Sequence, residues 1–512
     1  MKNIYLHSLL NSVNICPPSK LINSNIQNIS FNSKEVKKGT LFLGLIGTKV
    51  DGGKYWKEAI KNGAEAAIIS KNIEKIHGEI NHERVLVLDG HLDYIFGQII
   101  SEFWNRPSRK LKLIGVTGTN GKTTITFLLE HLLKNLGKRV ALFGTLYNRW
   151  PNFSEISSHT TDFADKLQPK LNSVREANVE FVIMEVSSHS LAQQRISGCE
   201  FNAAVFTNLS QDHLDYHVDM ESYFQTKMKL FKAPFLISEN CFSVINIDDD
   251  WGNKLSKKIN SSCLAVSIKN KKKSHNDQNY FYVSKKKLTK YGSYCVFHTP
   301  SEESEIFIPL VGEFNLMNAI QATIVLYNFG FPLKDICNSL KAFPGVPGRM
   351  ERLKIRDNDF QNLLPSVIID YAHTPDALKN VLESISDFAE GKIIVVFGCG
   401  GDRDSQKRPL MGSIAANFSD HIFITSDNPR TENPNQIIND ILSGIKNKNN
   451  INIEINRYSA IEKAINLAKS DDTILIAGKG HENYQILKNK TIEFDDKKVA
   501  SDILIKKLRF LK

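Results

Sequence analysis

The sequence predicts an α/β fold, and three observations carry that expectation. From about Gly115 onward, short β-branched apolar runs alternate with helical patterns, as in parallel sheets covered by helices. The apolar run Leu113 to Val116 passes through a glycine-rich turn into an amphipathic helix. There Ile125, Leu128, Leu129, Leu132, Leu133 and Leu136 line one face, with Gly137 as the C-cap. Two turn-rich breaks divide the chain. One is Asn105-Arg106-Pro107-Ser108; the other runs from Ala342 to Arg349 and contains Pro344, Gly345, Pro347 and Gly348. At 512 residues the chain is too long for one hydrophobic core, so two to four domains are expected.

The first segment, roughly residues 1–110, has its own alternation: a strand over Leu41 to Ile46, a helix over Tyr55 to Asn62 and a strand over Val85 to Leu88. Further buried strands are expected over Phe181 to Val186, Ala203 to Phe206, Val367 to Ile369, Ile393 to Phe397, His421 to Thr425 and Thr473 to Ala477. Chemically capable side chains follow the C-terminal ends of several of these, where open α/β sheets bind ligands. No internal repeat is present.

The seven cysteines are scattered, with no C-x-x-C spacing, which fits neither a disulfide framework nor a zinc cluster. No stretch reaches 18 uninterrupted apolar residues, and a soluble cytoplasmic protein, acting as a monomer without membrane insertion, is expected. The formal charge of +10 is spread along the chain, with lysines often beside asparagine and isoleucine, so no nucleic-acid partner is expected. The stretch Lys269 to Lys273 and the polar residues after it read as a solvated loop.

The segment Gly115-Val-Thr-Gly-Thr-Asn-Gly-Lys-Thr-Thr124 lies between a buried strand and a helix, where a glycine-rich loop becomes a phosphate cradle. Glycines allow backbone NH groups to converge on an anion, and the helix N-terminus adds partial positive charge. Thr117, Gly118, Thr119, Asn120 and Gly121 form the cradle, Lys122 would bridge the β- and γ-phosphates of a nucleoside triphosphate, and the Thr123 hydroxyl would ligate magnesium. Val116 stands where the strict phosphate-loop pattern has its first glycine. Such a loop alone does not separate switches, motors, kinases and ligases.

The version Thr117-Gly-Thr-Asn-Gly-Lys-Thr123 resembles the loop of the Mur ligase family. The resemblance continues through Met184-Glu-Val-Ser-Ser-His189, Asn208-Leu-Ser-Gln-Asp-His-Leu-Asp-Tyr-His217, Gly348-Arg-Met-Glu351, Asp370-Tyr-Ala-His-Thr-Pro375, Gly398-Cys-Gly-Gly-Asp-Arg-Asp404, Asp427-Asn-Pro-Arg430 and Ala477-Gly-Lys-Gly-His-Glu482. It covers essentially the whole chain and points to the branch of the family that adds diaminopimelate. It implies three domains: residues 1–110 binding the UDP-linked substrate, a central ATP-binding ligase domain at 111–345 with a parallel sheet, and a Rossmann-like domain at 346–512 binding the incoming amino acid. The implied reaction is ATP-dependent addition of meso-diaminopimelate to UDP-N-acetylmuramoyl-L-alanyl-D-glutamate through an acyl phosphate, in peptidoglycan precursor synthesis.

The resemblance also implies the site. Lys122, Glu185, His213 and Lys227 are the catalytic set. Magnesium is held by Thr123, Glu185, His213 and Lys227, the lysine as its carbamate. On composition alone Lys227 reads as a solvated helix residue, and His189 and His217 as structural. Asn315, Asn318, Arg349 and Asp370 join the loop around ATP, and Asn315 is also a candidate helix N-cap. Phe31, Ser33, Thr48, Lys49 and Val50 face the uridine nucleotide. His159, Thr160, Thr161, Ser187, Gln193 and Arg195 face the sugar and peptide. His159 and Lys34 depart from the family's usual Asn and Arg. Arg403, Asp427, Asn428, Pro429, Arg430, Gly478 and Glu482 form the diaminopimelate pocket, where a bidentate arginine suits the carboxylate that lysine lacks.

Three other readings compete. A lysine-adding ligase shares the fold and mechanism, and Arg430 argues against it. Folylpolyglutamate synthase is disfavoured by the N-terminal segment and the Asp427 to Arg430 motif. A phosphate-loop regulatory ATPase would explain the loop and nothing else.

Overall fold

Among the described residues three large sheets form in sequence order, accompanied by two two-stranded ones, and most of their strands alternate with the helices that cover them. The computed structural model describes residues 3–47, 50–259, 262–269, 279–289, 291–353, 363–446, 449–488 and 490–511. Thr48, Lys49, and most of the lysine-rich stretch after the exposed Lys269 lie outside the described residues.

In the N-terminal part, the strands Asn28–Ser30, Thr40–Leu43, Ala64–Ser70 and Val85–Leu88 lie side by side in parallel. Helix Leu92–Phe103 buries Phe96, Ile99, Ile100 and Phe103 in their core. The strand expected over Leu41 to Ile46 stops at Leu43. A side chain at the next residue, Gly44, would strike the backbone of Gly53, so the chain turns there.

The central sheet has eleven strands among the described residues. Lys112–Thr117, the strand that feeds the glycine loop, lies between Phe181–Glu185 and Ala203–Phe206, parallel to both. Helices Lys122–Asn135 and Glu313–Asn328 pack on one face, and Ala164–Glu176 and Met220–Met228 on the other. Ile125, Leu128, Leu129, Leu132 and Leu133 are fully buried and Leu136 partly, as the sequence spacing requires. Gly137 adopts a φ of +75°, the left-handed geometry of a helix C-terminus. The sheet is not parallel throughout. Tyr280–Thr289, Gly292–His298 and Glu303–Ile308 continue it as an antiparallel meander, and the hairpin Tyr147–Trp150 and Phe153–Ile156 extends its other edge.

The third sheet runs Glu351–Arg352, Ser366–Asp370, Thr473–Ala477, Ile393–Phe397, His421–Ile424, Ile451–Ile453, parallel after its first pair. Helices Pro375–Ser386, Lys407–Phe418 and Pro434–Leu442 cover one face, and Arg457–Leu467 with Asp496–Leu511 the other. Among the described residues no helix is long and apolar enough to cross a membrane.

Candidate active site

The glycine loop hangs from the C-terminal edge of the central sheet, where the neighbouring strands deliver Glu185 on one side and Thr207 and Asn208 on the other. Gly118 and Gly121 have φ of +146° and +87°. A Cβ on Gly118 would run into the Thr207 hydroxyl, and one on Gly121 into the Asn318 amide oxygen. The loop is pinned by Thr119 N donating to Asn208 O (2.9 Å), Asn120 N to Asn208 Oδ1 (2.9 Å) and Thr207 Oγ1 to Asn120 O (2.6 Å). Lys122 Nζ curls over it and donates to Gly118 O (3.0 Å) and Thr119 O (2.8 Å). Burial lowers the Lys122 pKa, against the pull of Glu185 and Asp212. Thr117 lies fully buried beneath, its hydroxyl without a partner among the described residues.

Glu185, 1% exposed, accepts from Thr123 Oγ1 (3.1 Å), Thr145 N (3.0 Å) and Thr145 Oγ1 (2.9 Å). Thr160 and Thr161 join the same network. Thr160 Oγ1 lies 3.2 Å from Thr145 Oγ1, and Thr161 Oγ1 donates to Glu185 O (2.8 Å) and accepts from Ser187 N (3.2 Å).

Lys227 corrects the composition-based expectation of a solvated residue. It is 1% exposed, its Nζ donates to Gly118 O at 2.8 Å, and it lies 4.6 Å from the centre of the Tyr223 ring. Burial pushes its pKa well below the ordinary lysine value, and Lys122 adds to the depression. His213 takes a φ of +55°, and its backbone NH donates to Asp212 Oδ1 (2.9 Å). Burial lowers the imidazole pKa despite Asp212, leaving a neutral ring able to offer a lone pair. His189 packs at a tilt against Tyr216 (4.3 Å between ring centres) and stands edge-on to His213 (4.9 Å). His217 is buried against Tyr223, its Nε2 without a partner among the described residues.

Among the described residues, no group of three or more His, Cys, Asp and Glu side chains forms a metal cluster by itself. The donors present are a hydroxyl (Thr123), a buried carboxylate (Glu185), a neutral imidazole (His213) and a buried amine of lowered pKa (Lys227). Hydroxyl and carboxylate oxygens suit a hard divalent cation, and Lys227 would suit one only after conversion to an anion. With that conversion the set fits magnesium.

A cavity of about 730 Å³ opens beside this cluster, walled by the central and C-terminal parts of the chain. His159, Thr160, Ser187, Arg195 and His213 line one side; Arg403, Asp427, Asn428, Arg430, Gly478 and Glu482 line the other. Arg195 is clamped by Thr161 O (2.9 Å) and Gln193 Oε1 (2.8 and 2.9 Å) and stacks 4.0 Å from the Phe163 ring centre. On the far wall, Arg430 has a φ of +51°, and its Nη1 donates to Gly401 O at 2.7 Å. Glu482 Oε2 accepts from Asn428 Nδ2 (2.9 Å) and Lys479 Nζ (3.1 Å). Pro429 connects Asn428 to Arg430, and its carbonyl packs so closely on Gly401 that a side chain there would collide.

Other expected residues gather elsewhere. Asn315 and Asn318 are buried in helix Glu313–Asn328, Asn318 against Gly121. The N-cap of that helix is Gly312. Asn315 sits inside the first turn and donates from its amide to Val311 O (2.9 Å), so it is not the cap. Arg349 stacks 4.4 Å from the Tyr371 ring centre, with its Nε buried and unpartnered among the described residues. Asp370 accepts from Met350 N and Ala372 N, both at 2.7 Å, and burial raises its pKa. In the N-terminal part, Ser33 Oγ donates to Glu58 Oε2 (2.7 Å), Phe31 packs on Phe96 and Val50 is exposed. None of these three lines the central cavity.

Sequence reading missed Asp212, which His213, His373 and Lys407 hold below the usual carboxylate range although burial works against it. It also gave no role to Thr145, Lys407 or Lys479. Asp212 and Lys479 stand inside the motifs Asn208 to His217 and Ala477 to Glu482, beside the stronger signals of His213 and Glu482; Thr145 has no motif around it. A signal for the burial of Lys227 does exist, against the expectation of a solvated residue: Tyr223 and Phe224 precede it by four and three positions on a nine-residue helix, so it shares their buried face.

Comparison with known proteins matches three family descriptions in order: "Mur ligase family, catalytic domain" over residues 25–104, "Mur ligase middle domain" over 116–326 and "Mur ligase, glutamate ligase domain" over 348–480. A protein of Prochlorococcus marinus subsp. pastoris named "UDP-N-acetylmuramoyl-L-alanyl-D-glutamate--2,6-diaminopimelate ligase" is 62% identical over 507 residues, 99% of each chain. One of the same name from another Prochlorococcus marinus strain is 48% identical over 506 residues, again 99% of each. A solved structure of a protein of that name superposes with a TM-score of 0.69 at 30% identity, covering 98% of this chain and 99% of the other. Matched along its length in both sequence and fold, this chain belongs to the Mur ligase family.

Proposed function

We propose that the chain is the ATP-dependent ligase that joins meso-diaminopimelate to UDP-N-acetylmuramoyl-L-alanyl-D-glutamate in peptidoglycan synthesis. Its full-length relatives bear that name, two of them at 62% and 48% identity. The observation that carries the reading at the level of residues is the 730 Å³ cavity. Its lining brings Thr160, Ser187, Arg195, Asp212 and His213 of the central part together with Arg403, Asn428, Arg430 and Glu482 of the C-terminal part. The domain limits that go with it are 1–110 for the UDP-linked substrate, 111–345 for ATP and 346–512 for the amino acid.

An amide cannot form directly, because a carboxylate oxygen is a poor leaving group. The D-glutamyl carboxylate oxygen attacks the γ-phosphorus of ATP, the bond to the bridging oxygen breaks, and ADP leaves. The amine nitrogen of diaminopimelate then attacks the acyl carbon, inorganic phosphate departs, and the nitrogen loses a proton. Two anions meet in the first step, so positive charge must lie between them.

Lys122 and the NH groups at the start of helix Lys122–Asn135 bind the β- and γ-phosphates. Asn315, Asn318, Arg349 and Asp370 hold the nucleoside. Magnesium bound by Thr123, Glu185, His213 and Lys227 would add charge neutralisation at the phosphates. For that role the Lys227 amine adds to carbon dioxide: an N–C bond forms, a proton leaves nitrogen, and the side chain changes from cation or neutral amine to anion. Its lowered pKa favours the neutral amine that this addition needs. Arg195 and the threonine pair orient the peptidyl end of the acceptor, and Phe31, Ser33 and the 48–50 loop face the uridine nucleotide. Arg403 and Arg430 receive the distal carboxylate of diaminopimelate, and Glu482 its ammonium.

The test is a panel of amino acids with ATP, magnesium and the UDP-linked dipeptide, following phosphate release and the mass of the product. Phosphate release that requires both the dipeptide and diaminopimelate, with a new amide in the product, is expected. Brisk hydrolysis without acceptor, and no amide when all reactants are present, would overturn the reading.

A further inference from the structure

We propose that Lys479 is a specificity-determining residue: its ammonium, set behind Glu482, makes the amino-acid pocket refuse a side chain that brings a positive charge alone. The inference rests on the reading of that pocket given above and deepens it.

Lys479 stands between Gly478 and Gly480, whose φ of +112° and +54° lie in the left-handed region, and its side chain is fully buried. A side chain at Gly478 would crowd Asp427 Oδ2, and one at Gly480 would meet Gly348 O and Tyr371. The turn is therefore fixed on both sides of the lysine. Lys479 Nζ donates to Glu482 Oε2 at 3.1 Å, lies 3.5 Å from Asn428 Oδ1, and sits 5.4 Å from the Tyr484 ring centre. Glu482 also takes Asn428 Nδ2 at 2.9 Å and faces the Tyr371 hydroxyl at 3.5 Å, with its side chain 15% exposed on the cavity wall.

The carboxylate offered to the ligand thus already has its countercharge on the side away from the cavity. An ammonium approaching Glu482 is attracted by the carboxylate and repelled by Lys479 slightly behind it. Acting from about twice the distance, the repulsion removes roughly half of the attraction. Lysine, whose distal end is an ammonium only, gains only that remainder there and leaves Arg403 and Arg430 without an anion. Diaminopimelate brings ammonium and carboxylate on one carbon, so it keeps the hydrogen bond to Glu482 and gains the arginines as well. Selection then works in part by denying the wrong ligand its attraction.

The experiment measures kcat/KM for meso-diaminopimelate and for L-lysine in the wild type, in Lys479→Met and in the double variant Lys479→Met/Glu482→Gln, with Tm for each. Lys479→Met should shift the ratio toward lysine by about tenfold or more, through a lower KM for lysine. The double variant has no net charge at this point and should recover much of the preference for diaminopimelate at reduced turnover. Equal fractional losses with both amino acids in Lys479→Met overturn the proposal. If that variant is too unstable to purify, the double variant decides: taking lysine as readily as diaminopimelate overturns it. A wild type that makes no amide with diaminopimelate overturns the functional reading itself. A competent wild type with an unchanged ratio in Lys479→Met overturns only the role of Lys479.

Discussion

The glycine loop and the far wall of the cavity are both built around buried cations, but they treat them in opposite ways. At the loop, Lys122 and Lys227 are held by neutral carbonyls of Gly118 and Thr119, and burial depresses both pKa values. Behind the far wall Lys479 is paired with Glu482, and deeper in the same C-terminal part, away from the cavity lining, Arg408 is paired with Glu432 and Asp440 and Arg457 with Asp496. A site whose cations lack counter-anions attracts any polyanion of the right shape. A site that sets one matched pair, Lys479 with Glu482, near an arginine held by a neutral carbonyl, Arg430 on Gly401 O, responds to the pattern of charge on its ligand rather than to its sum. The first suits a phosphate chain; the second suits a choice between two similar amino acids.

The largest effect that would break this contrast is at the loop. Lys122→Ala should lower kcat by roughly 10³-fold or more, whichever amino acid is supplied. A loss confined to one amino acid would show that the two regions are not separate in function. Next comes Arg430→Ala, which should raise KM for diaminopimelate by about 10- to 100-fold, the value of one charge-assisted contact, with little effect on lysine. Steady-state kinetics with both substrates measures it, and a uniform decline would place Arg430 outside the pocket.

A smaller effect sharpens the electrostatic side. Asp249 accepts from Leu209 N (3.2 Å) and Gly252 N (2.9 Å) behind the loop, and burial raises its pKa from 3.8 to about 6. Between those values the folded chain binds more protons than the unfolded one, so this group favours folding at low pH and loses that contribution as pH rises through about 6. Asp249→Asn should flatten the Tm profile across that window by the equivalent of about 1–3 kcal/mol. An unchanged slope would show that the carboxylate is not desolvated. The smallest effect belongs to neither region. Lys166 and Glu35 pair at 2.8 Å across two domains with side chains about half exposed, and Lys166→Ala should cost under ~1 kcal/mol in a denaturant titration.

How much of this could be read from the chain depends on whether a residue's role is local. The loop strand, its helix and the Gly137 terminus were legible because periodicity and glycine placement act over a few residues. The meander Tyr280–Thr289 to Glu303–Ile308 was not. Lys285, Lys286 and Lys287 interrupt its apolar pattern, and the register shifts between Ser284 and Lys287, so the alternation that marks a strand is broken. The cavity residues were found through family motifs, not geometry: no local signal says that Arg195 and Arg430, 235 positions apart, line one space. Lys479 and Asp212 stayed hidden although Glu482 and His213 stand three and one positions away, because their burial, and the remote partners Asn428 for one and His373 and Lys407 for the other, come only with folding.

One further contact ties the two regions. Asn120, at the tip of the glycine loop, donates its amide to Asp376 Oδ2 at 3.0 Å, in the first turn of helix Pro375–Ser386. The same residue takes the Thr207 hydroxyl on its carbonyl. A single asparagine therefore bridges the glycine loop of the central part and a helix of the C-terminal part, so the two cannot separate without giving up that hydrogen bond. Any chemistry that tugs on the loop is in that sense mechanically audible on the other side of the cleft.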